Sequence, residues 1–200
     1  MSEKKIDNHT LGIAAISLSK CLAAARIPYA LMGGYELVLL GANRTSKDLD
    51  VEIDSSCTTF EQVIDAFDAD PEFAVVPGTR RDAVRVLWTS RVGIDVFLRP
   101  GRFPPEILHI KVMNPHTSYF HSVPFFQPTD LLIEKIKCTS ERRKEIDADD
   151  VRFIFDTLAV QQKKVDMRVV RAGVAPAQVE GMVKNHPALG YIAQSLLRNA

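Results

Sequence analysis

Two aspartates with one residue between them, Asp48 and Asp50, stand in the stretch DLDVEID, where acidic and apolar residues alternate. Because side chains alternate across a β-strand, both carboxylates are predicted to project from the same face. Two carboxylates so close repel each other unless a proton, a basic side chain or a divalent cation neutralises them. Hard cations such as Mg²⁺ prefer oxygen ligands, so the pair could form half of a magnesium site. Taken alone, the short pattern is more typical of acidic residues on the solvated face of an edge strand.

A glycine pair precedes the aspartates. The apolar stretch PYALM is predicted to be a buried strand that ends at Gly33 and Gly34, followed by a short helix over residues 35–40 with Gly41 as its C-cap. Backbone N–H groups at such a turn can bind an anionic phosphate, and glycine lets the phosphate approach closely. The pair could equally be a tight turn and nothing more.

A third acid, Asp95, interrupts the apolar strand predicted for RVGIDVFL. A carboxylate in such surroundings is costly unless it is paired or binds a cation. A salt bridge with Arg85 or Arg91 and a share in a metal site are both open interpretations.

The elements that must position these residues form a mixed α/β front and a helical tail. Residues 9–26 predict an amphipathic helix with Thr10 as N-cap, and TTFEQVIDAFDAD predicts a second capped helix. Further strands are predicted for EFAVVP, DAVRVLWT and RVGIDVFL, the last two joined as a hairpin near Ser90, and for two short edge strands, LHIKVM and HSVPFF. Beyond Pro128, helices are predicted in TDLLIEKIKC, KEIDADDVRFIFDTLAV, KKVDMRVVRAG, APAQVEGMVKNH and PALGYIAQSLLRN.

Composition narrows the function classes. The 200 residues are 46% hydrophobic, enough for a real core, and 25 basic residues balance 25 acidic ones, so no field favours broad nucleic-acid binding. The three cysteines show no CxxC spacing, and no apolar run approaches the roughly 18 residues of a membrane span. We therefore expect a reduced, cytoplasmic protein without a membrane segment.

The order strand, glycine pair, helix, DxD strand and later strand aspartate resembles the nucleotidyltransferase fold related to DNA polymerase beta, over residues 29 to about 98. GGYELVLLGANRTSKDLDVEID is most similar to the branch that includes abortive-infection toxins of the AbiEii type. PTDLLIEKIKC and RRKEIDADDV are similar to the proline-aspartate-leucine helix and the basic-then-acidic segment of that branch, and the matching residues are Lys135, Lys144, Asp147 and Asp150. One departure is Tyr35, which stands where many members of the superfamily have a serine.

The resemblance implies an α/β (α+β) fold, with a mixed sheet flanked by helices in residues 1–127 and a C-terminal helical segment, residues 128–200, packed on that core. It implies a Mg²⁺-dependent enzyme that transfers NMP from an NTP to a hydroxyl of an unidentified acceptor, such as RNA or tRNA, a small molecule or a protein. Two Mg²⁺ ions, or Mn²⁺, would be held by Asp48, Asp50 and Asp95, and Asp95 could serve as general base.

Phosphate contacts follow from the same resemblance. The implied residues are Gly33 and Gly34 around the β- and γ-phosphates and Lys135, Arg44 and Lys144 as counter-charges, with Arg80 and Arg81 as a further basic pair. Without the resemblance, Lys135 would be interpreted as a surface lysine on an amphipathic helix. The alternative function is a catalytically weak or inactive protein of the same fold that binds a nucleotide or a partner protein.

Overall fold

The computed structural model describes residues 6–77 and 82–197. By its internal contacts the chain divides into two compact units, Met1–Phe125 and Phe126–Ala200. The division lies near the boundary expected after residue 127. Arg80 and Arg81 lie outside the described residues.

A seven-stranded mixed sheet forms the first unit, in the order β3-β4-β5-β2-β1-β7-β6. The strands are β1 (Tyr29–Met32), β2 (Asp48–Ile53), β3 (Phe73–Val76), β4 (Ala83–Trp88), β5 (Val92–Phe97), β6 (Ile107–Met113) and β7 (Phe120–Phe126). This confirms the predicted mixed α/β fold class. The hairpin predicted near Ser90 is also confirmed, since β4 and β5 pair antiparallel.

The position of β2 matters most for function. It pairs antiparallel with β1 and parallel with β5, so it is a central strand. The interpretation of the aspartates as belonging to an edge strand is therefore wrong. A second edge prediction, for HSVPFF, is also wrong, because β7 pairs with β1 and lies inside the sheet with β6 at its margin.

Three helices accompany the sheet: α1 (Asn8–Ala24), α2 (Gly34–Leu39) and α3 (Phe60–Asp68). The predicted N-cap of α1, Thr10, is wrong: the side chain of Asp7 accepts a hydrogen bond from the Thr10 backbone N–H at 2.8 Å. Thr59 begins α3 with a capping box to Gln62. The predicted C-cap of α2, Gly41, is wrong by one residue: Leu40 is the C-cap, and Gly41 follows it with φ +99°.

Successive side chains of β2 point alternately into the hydrophobic core and to the opposite face of the sheet. Leu49, Val51 and Ile53 are fully buried in the hydrophobic core, which α1 and α3 share. Asp48 and Asp50, on the opposite face, are partly exposed. The core thus fixes the direction in which the two carboxylates project.

The second unit is helical. Its elements are α4 (Pro128–Glu141), α5 (Glu145–Phe153), a π-helical segment (Ile154–Gln161), α6 (Met167–Gly173), α7 (Pro176–Asn185), a 3₁₀ turn (Pro187–Leu189) and α8 (Gly190–Leu197). Each predicted tail helix is present, although KEIDADDVRFIFDTLAV changes to π-helical geometry after α5. Across residues 6–77 and 82–197, no helix combines the length and apolar character that crossing a membrane requires.

Candidate active site

Asp50 lies directly against the glycine bend. Gly33 has φ +85° and ψ −144°, a backbone conformation that residues with a Cβ scarcely adopt. A Cβ added to Gly33 would lie 2.3 Å from Oδ2 of Asp50, so the carboxylate occupies the space that the missing side chain leaves. The antiparallel register, with Met32 opposite Asp50, brings the two together. The end of β1 and the DxD strand are thus in direct contact.

The third acid stands in the next strand. Asp95 of β5 is the register partner of Asp50, so their Cα atoms are neighbours across a parallel pair. On its other side Asp95 faces Arg85 of β4, and Nη1 of Arg85 lies 2.6 Å from Oδ1 of Asp95. Of the interpretations left open for Asp95, the salt bridge with Arg85 is the one found.

The donor atoms suit a hard divalent ion, although they are not gathered around one point. Across residues 6–77 and 82–197, no three His, Cys, Asp or Glu side chains are arranged to hold a metal. The reason is geometric: the Asp50 carboxylate lies over Gly33 on the β1 side, whereas Asp95 bonds Arg85 on the β4 side. Mg²⁺ usually needs one or two carboxylates, with water and substrate phosphate as its other ligands. Asp48 and Asp50, on one face of β2, match that number of carboxylates.

The second glycine contacts a cation and a hydroxyl. A Cβ on Gly34 would lie 2.7 Å from Nη2 of Arg44 and 2.8 Å from Oγ of Ser46. The Ser46 hydroxyl also donates to the backbone oxygen of Asp48 at 3.1 Å. Arg44 therefore lies at the turn to which the sequence assigned phosphate binding. Ser46 was missed, although its position two residues before Asp48 was an available signal.

Tyr35, the departure from the family pattern, belongs to the core. It is 2% exposed, and its ring packs against Phe125 with a centroid distance of 6.3 Å. Its hydroxyl lies against Gly12 of α1, 3.1 Å from the position of a Cβ there. Burial raises the pKa of Tyr35 to about 12, so the phenol stays protonated. Ser46, rather than residue 35, supplies a hydroxyl beside Gly34.

A buried ion pair continues the acidic face of β2, and sequence reasoning gave it no role. Glu52 is fully buried, and its Oε1 accepts the backbone N–H of Arg99 at 3.0 Å. The Arg99 guanidinium donates to Oε2 through Nε at 2.9 Å and also through Nη2. The same guanidinium lies 4.7 Å from the ring centroid of Phe97. This pair joins β2 to the residues that follow β5, next to the Asp50 row.

Solved structures with the same architecture cover nearly the whole chain. An antigenic nucleotidyltransferase-like protein from Paracoccidioides brasiliensis aligns with a TM-score of 0.60 and 18% identity, over 97% of this chain and 99% of its own. The chain has the nucleotidyltransferase fold. MenT4, a nucleotidyltransferase toxin from Mycobacterium tuberculosis, aligns with a TM-score of 0.56 and 20% identity, over 88% of this chain and 64% of its own.

A third structure with the nucleotidyltransferase fold is ANT(2″)-Ia in complex with adenylyl-2″-tobramycin. It aligns with a TM-score of 0.53 and 12% identity, over 80% of this chain and 97% of its own. No protein-family model matches the sequence, and a search of curated proteins gives no match. The likeness is therefore one of fold.

The helical unit of this nucleotidyltransferase-fold chain contains the other predicted residues. Lys135 is 8% exposed, which rules out the surface-lysine interpretation, and its Nζ donates to Oδ2 of Asp150 at 2.6 Å. Asp147 lies 4.0 Å from the same Nζ and accepts two bonds from Arg142, at 2.6 and 3.0 Å. Lys144 is exposed at the N-cap of α5. The Lys135 charge is thus offset inside the unit, and its role toward a nucleotide stays a prediction.

We expect Gly33→Ala to lower both the Mn²⁺ affinity of the site and the stability of the fold. The methyl group would meet the Asp50 carboxylate, and the strained backbone would lower the free energy of unfolding by about 1–3 kcal/mol. Gly41→Ala is the matched control, since Gly41 also has positive φ but no atom within 4 Å of its Cβ position. Urea unfolding and Mn²⁺ affinity should be measured for both. Equal loss of Mn²⁺ affinity in the two variants would show that the Gly33 contact is unimportant.

Proposed function

We propose that this chain is a Mg²⁺-dependent nucleotidyltransferase that transfers NMP from an NTP to a hydroxyl of an acceptor. The observation that carries the proposal is the contact of the Asp50 carboxylate with the Gly33 bend, with Asp95 in register on the next strand. In metal-dependent phosphoryl transfer the metal ions bind phosphate oxygens, so the groups that bind the metal must lie close to those that bind the phosphates. The shared fold supports the same reaction class.

In this proposal the triphosphate binds at the glycine turn. The absence of side chains at Gly33 and Gly34 lets phosphate oxygens approach the backbone N–H groups. Arg44 contributes a charge-assisted hydrogen bond, and the Ser46 hydroxyl can donate to a phosphate if its proton turns away from the Asp48 carbonyl; both lie against the Gly34 position.

The transfer itself forms one bond and breaks one. The acceptor oxygen attacks the α-phosphorus, the bond from that phosphorus to the bridging oxygen breaks, and pyrophosphate leaves with the electron pair. Asp95 would accept the proton of the acceptor hydroxyl, and Asp48 and Asp50 would provide the principal metal ligands. Two bound Mg²⁺ ions would lower the pKa of the acceptor hydroxyl and offset charge on the phosphates.

The acceptor belongs to one of three classes. ANT(2″)-Ia, which has the same fold, is known in complex with an adenylylated aminoglycoside, which supports a small hydroxylated acceptor. RNA, including tRNA, and a protein side chain are the competing classes. We also propose a cytoplasmic location, as expected from the sequence.

Nucleotide-dependent stabilisation tests the proposal. Each of the four NTPs should be titrated with and without Mg²⁺ while the melting temperature is measured. We expect one NTP, at a hundredfold excess over its Kd and only with metal present, to raise the melting temperature by about 5–10 °C. The absence of any metal-dependent shift would contradict the proposal.

Labelling then identifies the reaction and the acceptor. The protein should be incubated with α-labelled NTPs and cell extract, and the label should be sought in small molecules, RNA and protein. We expect label in one fraction together with released pyrophosphate. Binding without transfer to any fraction would favour the alternative, a nucleotide-binding protein without catalysis.

A further inference from the structure

The guanidinium of Arg85 occupies the space left by the missing side chain of Gly93, beside the carboxylates. Its Nη1 bonds Asp95 at 2.6 Å, and its Nη2 lies 2.1 Å from the position that a Cβ on Gly93 would take. Any side chain at residue 93 would therefore displace the guanidinium. Gly93 is the register partner of Asp48, just as Asp95 is the partner of Asp50. The guanidinium thus lies on β5 alongside both rows of the DxD motif.

The ion pair is strong enough to orient Asp95 and weak enough to break. The side chains of Arg85 and Asp95 are 45% and 30% exposed, and ion pairs this open to solvent contribute little free energy. While it lasts, the pair holds a carboxylate oxygen toward β4, away from the side on which Asp50 contacts Gly33. A cation with two charges and ligands on both strands can compete effectively for Asp95.

We propose that Arg85 is a positioning residue that competes with the divalent ion for Asp95. The three carboxylates gather only after the guanidinium leaves, so the affinity of the site for metal is set partly by an arginine that binds no metal itself. The inference rests on the proposed function, since it concerns the same metal site.

Metal titration of the nucleotide-free protein tests this competition. Free Mn²⁺ can be followed by electron paramagnetic resonance in wild type, Arg85→Met and Arg91→Met. We expect Arg85→Met to lower the Kd for Mn²⁺ by about fivefold, equivalent to about 1 kcal/mol. Arg91→Met removes the same charge from the neighbouring turn, where residue 91 is exposed, and should change the Kd by less than about twofold. Equal effects of the two variants would overturn the proposal, because general charge would then explain both.

An Asp95→Asn background tests whether the effect of Arg85 depends on the Asp95 carboxylate. In Asp95→Asn, Arg85→Met should no longer change the Kd, because the contested carboxylate is gone. A persisting fivefold gain in that background would also overturn the proposal. If wild type and Arg85→Met both fail to bind Mn²⁺, the metal site and the proposed function fail together. Measurable binding with identical Kd values would remove the Arg85 inference alone.

Discussion

We expect Asp50→Asn to reduce nucleotidyl transfer by more than about 100-fold while the chain stays folded. Loss of residues that merely orient metal ligands costs about 10- to 100-fold, and Asp50 is proposed as a direct ligand. The amide keeps the shape of the carboxylate but loses its charge, so the contact with the Gly33 bend should survive. Labelled nucleotide transfer and the Mg²⁺-dependent rise in melting temperature should both disappear. Asp48→Asn should act in the same way.

The control for this prediction is Asp68→Asn at the exposed end of α3. It removes one carboxylate from the same unit and should leave both the transfer rate and the thermal response unchanged. If Asp48→Asn and Asp50→Asn respond to NTP and Mg²⁺ like wild type, the metal-site assignment is wrong.

The largest expected effect on stability is that of Arg99→Ala. Its removal leaves Glu52, which is fully buried, without the guanidinium that offsets its charge. Breaking one side of a buried ion pair typically costs about 3–5 kcal/mol. Chemical denaturation should show this loss in the free energy of unfolding.

A double variant distinguishes the cost of an unpaired buried charge from the cost of losing the ion pair. Glu52→Leu with Arg99→Leu removes both charges, and apolar replacements of a buried pair are often close to neutral. We therefore expect the double variant to be more stable than Arg99→Ala. If the double variant loses as much free energy of unfolding as the single variants Glu52→Leu and Arg99→Leu added together, Glu52 and Arg99 act independently.

The sequence was sufficient for the parts of the site that depend on local pattern. Alternation in DLDVEID determined which side chains share a face, and the glycine pair marked the end of β1. The apolar partners Leu49, Val51 and Ile53 are fully buried, as that alternation requires.

What could not be predicted depends on which strands become neighbours. Arg85 is opposite Asp95 because β4 and β5 form a hairpin, but its reach over Gly93 depends on the rotamer that the folded sheet selects. Glu52 meets Arg99 across a separation of 47 residues, which no local pattern indicates. The central position of β2 likewise arises from the parallel pairing with β5, and alternation alone suggested an edge.

The place of β7 has a consequence for how the protein is made. Leu31 of β1 pairs with Phe125 of β7. The edge of β1 that faces away from β2 is therefore covered only after most of the first unit has left the ribosome. Pairings between such distant segments form slowly, and an uncovered strand edge attracts other chains. A fragment that stops before residue 120 should therefore aggregate, whereas one that includes β7 should stay in solution.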